Sequence, residues 1–112
     1  MIIEEVVRNY LDNTLDVPAT MERKEDGAGR YVMIERVGGK ETNHIRTATI
    51  AIQSYAPTMY EAAALNEAVK NAMKGVLTLA SVTAVDLNTD YNFTDESRGE
   101  YRYQAVFLIS HY

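Results

Sequence analysis

Two periods of apolar and polar residues run along this chain, and they meet at Pro57. In residues 45–56, IRTATIAIQSYA, side chains alternate so that Ala48, Ile50 and Ile52 share one face and Thr47, Thr49, Ala51, Gln53 and Tyr55 the other, the period of a half-buried strand. Pro57 cannot continue a ladder. After it, Thr58-Met59-Tyr60-Glu61 has the S/T-x-x-E form in which a hydroxyl and a carboxylate cap each other's free backbone N–H groups, so a helix is predicted to start there. Ala62, Leu65, Val69, Ala72, Met73 and Val76 then recur at spacings of three and four, with Glu61, Asn66, Glu67, Lys70, Asn71 and Lys74 expected to face outward.

The remaining elements arrange themselves around residues 45–76. Ile2, Ile3, Val6, Val7, Tyr10 and Leu11 form a second helical stripe, and Glu4 and Glu5 complement the dipole of its first turn. Pro18 ends that helix, leaving a weakly patterned strand through about Glu22. Residues 25–29, with charges and two glycines, read as a hairpin loop, and residues 31–37 as a strand apolar on both faces. Residues 38–43, GGKETN, read as the next turn. Consecutive hairpins would make these strands antiparallel.

Beyond the long helix, the chain is expected to break near Ala80 and Ser81 and run extended through Val82, Val85 and Leu87 toward Phe93. Residues 94–99 make a third turn. In the last strand, Tyr101, Tyr103, Ala105, Phe107 and Ile109 point one way and Val106 and Leu108 the other, which implies cover on both faces at its middle, by helices on one side and another subunit on the other. The expectation is a single α+β domain over residues 1–112, order α-β-β-β-α-β-β. Its mixed, mostly antiparallel sheet carries two helices packed on one face, and the strand-helix-strand crossover is expected to be right-handed.

Composition narrows the function classes. A net charge of −5 argues against a basic footprint for nucleic acid or anionic lipid. Cysteine is absent, which removes thiol catalysis and thiolate metal sites. The opening residues place acids among aliphatics, and no stretch nears the roughly 20 apolar residues of a membrane span. A soluble protein made in the cytoplasm is therefore expected.

Candidate chemistry is thin. The two histidines, His44 and His111, belong to no ligand-spaced motif, and Ser54, Ser81, Ser97 and Ser110 lie in no G-x-S-x-G context. Asp86 with Asp90, or Asp95 with Glu96, could be imagined as paired carboxylates, but three of these four lie in or beside a loop where charge is simply solvated. Gly27-Ala28-Gly29-Arg30 precedes a strand and opens no helix, so it lacks the N–H geometry that holds phosphate. No catalytic residue, metal ligand or cofactor is expected. Tyrosine is the unusual component, eight against two phenylalanines and no tryptophan. Tyr91, Tyr101, Tyr103 and Tyr112 gather around the last hairpin, where a half-apolar, half-wet side chain suits a sheet surface or a protein interface. Base stacking would also want a positive groove, and Arg98 and Arg102 stand beside Asp90, Asp95, Glu96 and Glu100.

Residues 48–73, ATIAIQSYAPTMYEAAALNEAVKNAM, and 87–112, LNTDYNFTDESRGEYRYQAVFLISHY, resemble small proteins from the head-tail gene clusters of long-tailed phages and Gram-positive prophages, closest to the tail-terminator or tail-completion family. The resemblance implies a non-enzymatic α+β subunit that assembles into a homo-oligomeric ring, usually of six, capping the tail tube at its head-proximal end. Its partners would be the major tail tube protein and the head-tail connector proteins. It would be made in the host cytoplasm and end in the virion, with no specific nucleic-acid or membrane binding. On this reading Arg30, Tyr91, Arg98, Tyr101 and Tyr103 are candidates for the subunit interface, with the loops at residues 25–30 and 95–99 as contact devices. Two alternatives remain open: a head-closure adaptor or minor capsid protein of the same gene cluster, and a small enzyme or ligand-binding domain with a deep polar pocket containing His44 or His111.

Overall fold

The computed structural model describes residues 1–25, 27–95 and 100–112. The elements are α1 (Ile3–Thr14), β1 (Ala19–Thr20), β2 (Tyr31–Thr42), β3 (Ile45–Ala56), α2 (Met59–Met73), β4 (Val82–Asn92) and β5 (Tyr101–His111). They form a five-stranded sheet of order β1-β2-β3-β5-β4. β5 lies between β3 and β4, antiparallel to both, so β3 and β4 run parallel across it and α2 makes the crossover.

Both helices bury their stripes in one core. Ile3, Val7 and Leu11 of α1 and Leu65, Val69 and Met73 of α2 join a single cluster with Val32, Ile34, Ala48, Ile50, Ile52, Ala105, Phe107 and Ile109. Every strand residue in that set lies on one face by the pairing of Ile34 with Ile52, Ile50 with Phe107 and Ala48 with Ile109. The protein is thus an α+β domain, a mixed sheet with two helices on one face, as the periodicity predicts. At the start of α2, Thr58 Oγ1 accepts from the Glu61 N–H at 3.2 Å. The Glu61 carboxylate turns to the same hydroxyl, also at 3.2 Å, so the cap forms with the return bond going to the side chain. A 3-10 turn, Lys74–Thr78, carries Val76 into the core. Tyr10 of α1 ties the two helices together by donating to the Ala72 carbonyl at 2.6 Å, in the last turn of α2.

Three expectations need correction. The first strand shrinks to Ala19–Thr20, and it pairs parallel to β2, Ala19 with Val32 and Thr20 with Met33. β1 and β2 are therefore not the two arms of a hairpin; beyond β1 the Lys24 N–H donates to the Tyr31 hydroxyl at 3.1 Å and Arg23 pairs with Glu100. Second, Gly38 and Gly39 lie inside β2. The strand shifts register between Arg36 and Gly38, and the turn is made instead by Asn43 and His44, at φ 52° and 67°, between the paired Thr42 and Ile45. Positive φ at both loop residues matches the twist of the flanking strands. A Cβ at Gly39 would meet only the end of the exposed Arg36 side chain, which can swing aside. Third, Asn66 is 2% exposed and faces the sheet.

The second sheet face carries no helix among the described residues. On it a polar and aromatic belt crosses four strands. Tyr31 and Tyr55 stack at 4.7 Å with rings 3° from parallel. Tyr55 donates to Gln53 at 2.8 Å, Gln53 to Gln104 at 2.9 Å, and Gln104 to the Tyr91 hydroxyl at 2.5 Å. Arg102 donates to the Tyr55 hydroxyl and lies 4.4 Å from the Phe93 ring centre. Neighbouring side chains bury Ala51 and Val106 on this face, but Leu108 stays exposed. No helix among the described residues is long and apolar enough to cross a membrane.

Candidate functional site

Two features stand out at opposite ends of the sheet. At one end, the hairpin of β2 and β3 extends as an arm: every residue from Glu35 to Arg46 is exposed. It helps give the molecule its length, 45 Å against 24 and 21 Å. Arg46 pairs with Glu41 at 3.1 Å across the arm, and Arg36 donates to the Gly38 carbonyl at 3.2 Å. Val37 and Ile45 are exposed apolar residues on it.

At the other end, α2 and the β4-β5 pair border a cleft of about 520 Å³. Its walls follow from helical spacing. Tyr60, Ala63, Ala64, Glu67 and Lys70 recur along one flank of α2, and two alanines leave the space that larger side chains would fill. Across from them stand Asp90, Tyr91 and Tyr103. The helix is held to β4 by charge: Lys70 Nζ lies 2.5 Å from Asp90 and 2.8 Å from Glu67, while Asn66 donates to Asp90 at 3.1 Å. The Lys70 hydrogen bond holds the Asp90 carboxyl below its usual range, and Asp90 with Glu67 raises Lys70. Asn66 keeps one unmet need, because its buried Oδ1 has no hydrogen-bond partner among the described residues.

A smaller groove of about 340 Å³ lies on the helix-free face at the root of the arm, bordered by Lys40, Thr47, Thr49, Asp86, Leu108 and Ser110. On that same face, burial pushes the Tyr31 hydroxyl above the ordinary tyrosine range.

These positions decide several candidates. Asp86 pairs with Leu108 and Asp90 with Ala105, across a register shift between Leu87 and Thr89, so the two carboxylates point to opposite faces. They cannot act together. His44 sits exposed at the arm tip, and His111 is buried at the end of β5 with Nδ1 3.0 Å from the Tyr112 carbonyl oxygen. Neither borders the cleft beside α2. Among the described residues no three His, Asp or Glu side chains gather as a metal site.

The interface candidates are brought together in part. Tyr91 and Tyr103 both border the cleft, and Tyr101 follows on the same face as Tyr103 near the start of β5. Arg30 lies just before β2, on the far side of the sheet, 3.7 Å from Asp16 and exposed. Arg98 falls outside the described residues, as do Asp26 and most of the 95–99 loop. Sequence reasoning missed Asn66 and Lys70. The signal was present, since Asn66 is four residues after Ala62 and three before Val69, on the stripe itself.

No protein-family model matches the chain, and no curated protein sequence is similar to it. Among solved structures it is similar to a chain of the virion of a native gene transfer agent (GTA) particle, with a TM-score of 0.53. The likeness covers 95% of this chain and 84% of that one at 12% identity, and so concerns the fold.

Proposed function

We propose that this protein is a structural subunit of a phage-type virion, a tail terminator or completion protein that forms a ring at the head-proximal end of the tail tube and joins it to the head. The observation that carries this reading is the fold shared, over nearly the whole of both chains, with a virion component. It agrees with the family resemblance in residues 48–73 and 87–112. The surface is suited to such a role. An exposed arm at one end and an open cleft at the other favour head-to-tail contacts, the type that closes into rings. A net charge of −5 lets DNA pass a lumen without sticking. No step of chemistry is assigned to it. Its partners are further copies of itself, the major tail tube protein and the connector proteins, with the ring six-membered as the resemblance implies. Arg30, Tyr91, Arg98, Tyr101 and Tyr103 lie at the subunit interface in this reading.

Co-sedimentation separates the assignments. The protein should pellet with purified tail tubes and not with portal-connector complexes lacking a tail. Pelleting with the portal side alone would transfer it to head closure. Arg98→Glu should lower the oligomer mass seen by light scattering while circular dichroism stays native; an unchanged mass removes Arg98 from the interface.

A further inference from the structure

We propose that the arm of one copy seats in the α2–β4 cleft of the next copy, making a directional contact that uses each surface once. The inference rests on the ring reading and names the contact that builds it.

Four observations favour a second copy as the occupant. First, a chain cannot fill its own cleft. The arm begins beyond Arg46 on β3, whereas Tyr103 at the cleft pairs with Ser54. From Ile45 to Ser54 is nine steps along one strand, about 30 Å at the usual rise. Second, the two surfaces carry opposite charge. The arm has three cations, Arg36, Lys40 and Arg46, to two acids, Glu35 and Glu41, and the cleft has Glu67 and Asp90 to Lys70.

Third, hydrogen-bonding needs are complementary. β1 covers β2 only at Val32 and Met33, so the outer edge of β2 beyond Met33 offers backbone N–H donors with no strand beside them among the described residues. The cleft offers acceptors in the carboxylates of Glu67 and Asp90. Fourth, shapes agree. Gly38 and Gly39 keep the arm thin, Ala63 and Ala64 keep the cleft open, and Tyr60, 82% exposed at its rim, is the kind of side chain that dominates contact energies when covered.

The absence of native cysteine gives a clean test. Thr42→Cys marks the arm and Ala64→Cys marks the cleft, both at exposed positions. Treated with a short bismaleimide at high protein concentration, an equimolar mixture of the two variants should give covalent dimer at least tenfold above either variant alone. The double variant should give a ladder of higher oligomers. Equal yields in the mixture and the single variants would overturn the arm contact. Light scattering on the same samples separates this from the wider reading: oligomeric mass without the cross-link removes the contact and keeps the ring. Cross-linking of Ala64→Cys to tail tube protein in place of the arm would likewise overturn the proposal, by giving the cleft another occupant.

Discussion

Tyr10 and Gly75 should be strongly coupled in stability, although they lie on different elements and 65 positions apart. The Tyr10 hydroxyl donates to the Ala72 carbonyl at 2.6 Å, and a Cβ built on Gly75 would stand 2.5 Å from that hydroxyl oxygen. The next nearest atom, Tyr10 Cζ, would be at an ordinary 3.7 Å. Gly75→Ala by itself reduces unfolded-state entropy, a gain of about 0.4–1 kcal/mol. Here it also expels the hydroxyl, which loses a hydrogen bond of about 1 kcal/mol and crowds the joint at about 1–3 kcal/mol. The sum is a net loss of about 1–3.5 kcal/mol. Tyr10→Phe alone costs about 1 kcal/mol for the lost bond. Once the hydroxyl is gone, Gly75→Ala should fit and stabilise by about 0.5 kcal/mol. The double-mutant cycle, read by urea denaturation at constant m, should therefore give a coupling of about 1.5–4 kcal/mol. Additivity within about 0.5 kcal/mol would refute the reasoning and free Gly75 of its steric role.

The other expectations are simpler. Leu65, fully inside the core, should cost about 2–5 kcal/mol as Leu65→Ala. Leu65→Asp should leave no native signal in near-UV circular dichroism; soluble, folded Leu65→Asp protein would show the helix face to be wrong. His44 holds φ 67°, and relieving a left-handed non-glycine residue is worth about 1 kcal/mol, so His44→Gly should raise Tm by several degrees. A lower Tm would contradict the turn geometry. Asp90 is held below its usual pKa by Lys70, so its contribution is present above the unfolded value of about 3.9 and is lost as pH falls through the lower folded value. Lys70 is raised, so its contribution is present below about 10.4 and is lost only at more alkaline pH. The stability gap between wild type and Asp90→Asn should hold from pH 6 to 8 and shrink below about pH 4 in denaturant titrations. A gap constant down to pH 3 would show that charge has no part in it.

Much of the fold was legible where local chemistry and tertiary packing agree. Pro57, the Thr58 cap and the stripe from Ala62 to Val76 each point to the same joint, and the alternation in residues 101–109 fixes the face of the last strand. Reading failed where a distant partner decides. Two glycines ordinarily mark a turn, yet Gly38 and Gly39 pair within the β2-β3 ladder and the turn falls on two residues that tolerate positive φ. The parallel pairing of Ala19 with Val32 and Thr20 with Met33 has no signal in the sequence between them, which carries no period to read. Asn66 looked solvated because amides usually are, but Asp90, 24 residues on, gives it a hydrogen-bond partner. The cleft was invisible for the same reason, since alanines at positions 63 and 64 acquire meaning only opposite Tyr91 and Tyr103.

The ring reading turns on one act, the stopping of tube growth. Tail tube protein can be elongated from seeds with and without this protein, and tube lengths and ends measured by negative-stain electron microscopy. The account predicts that growth halts at substoichiometric protein and that one end of each tube carries added density. Tubes that lengthen at the same rate with bare ends would contradict it.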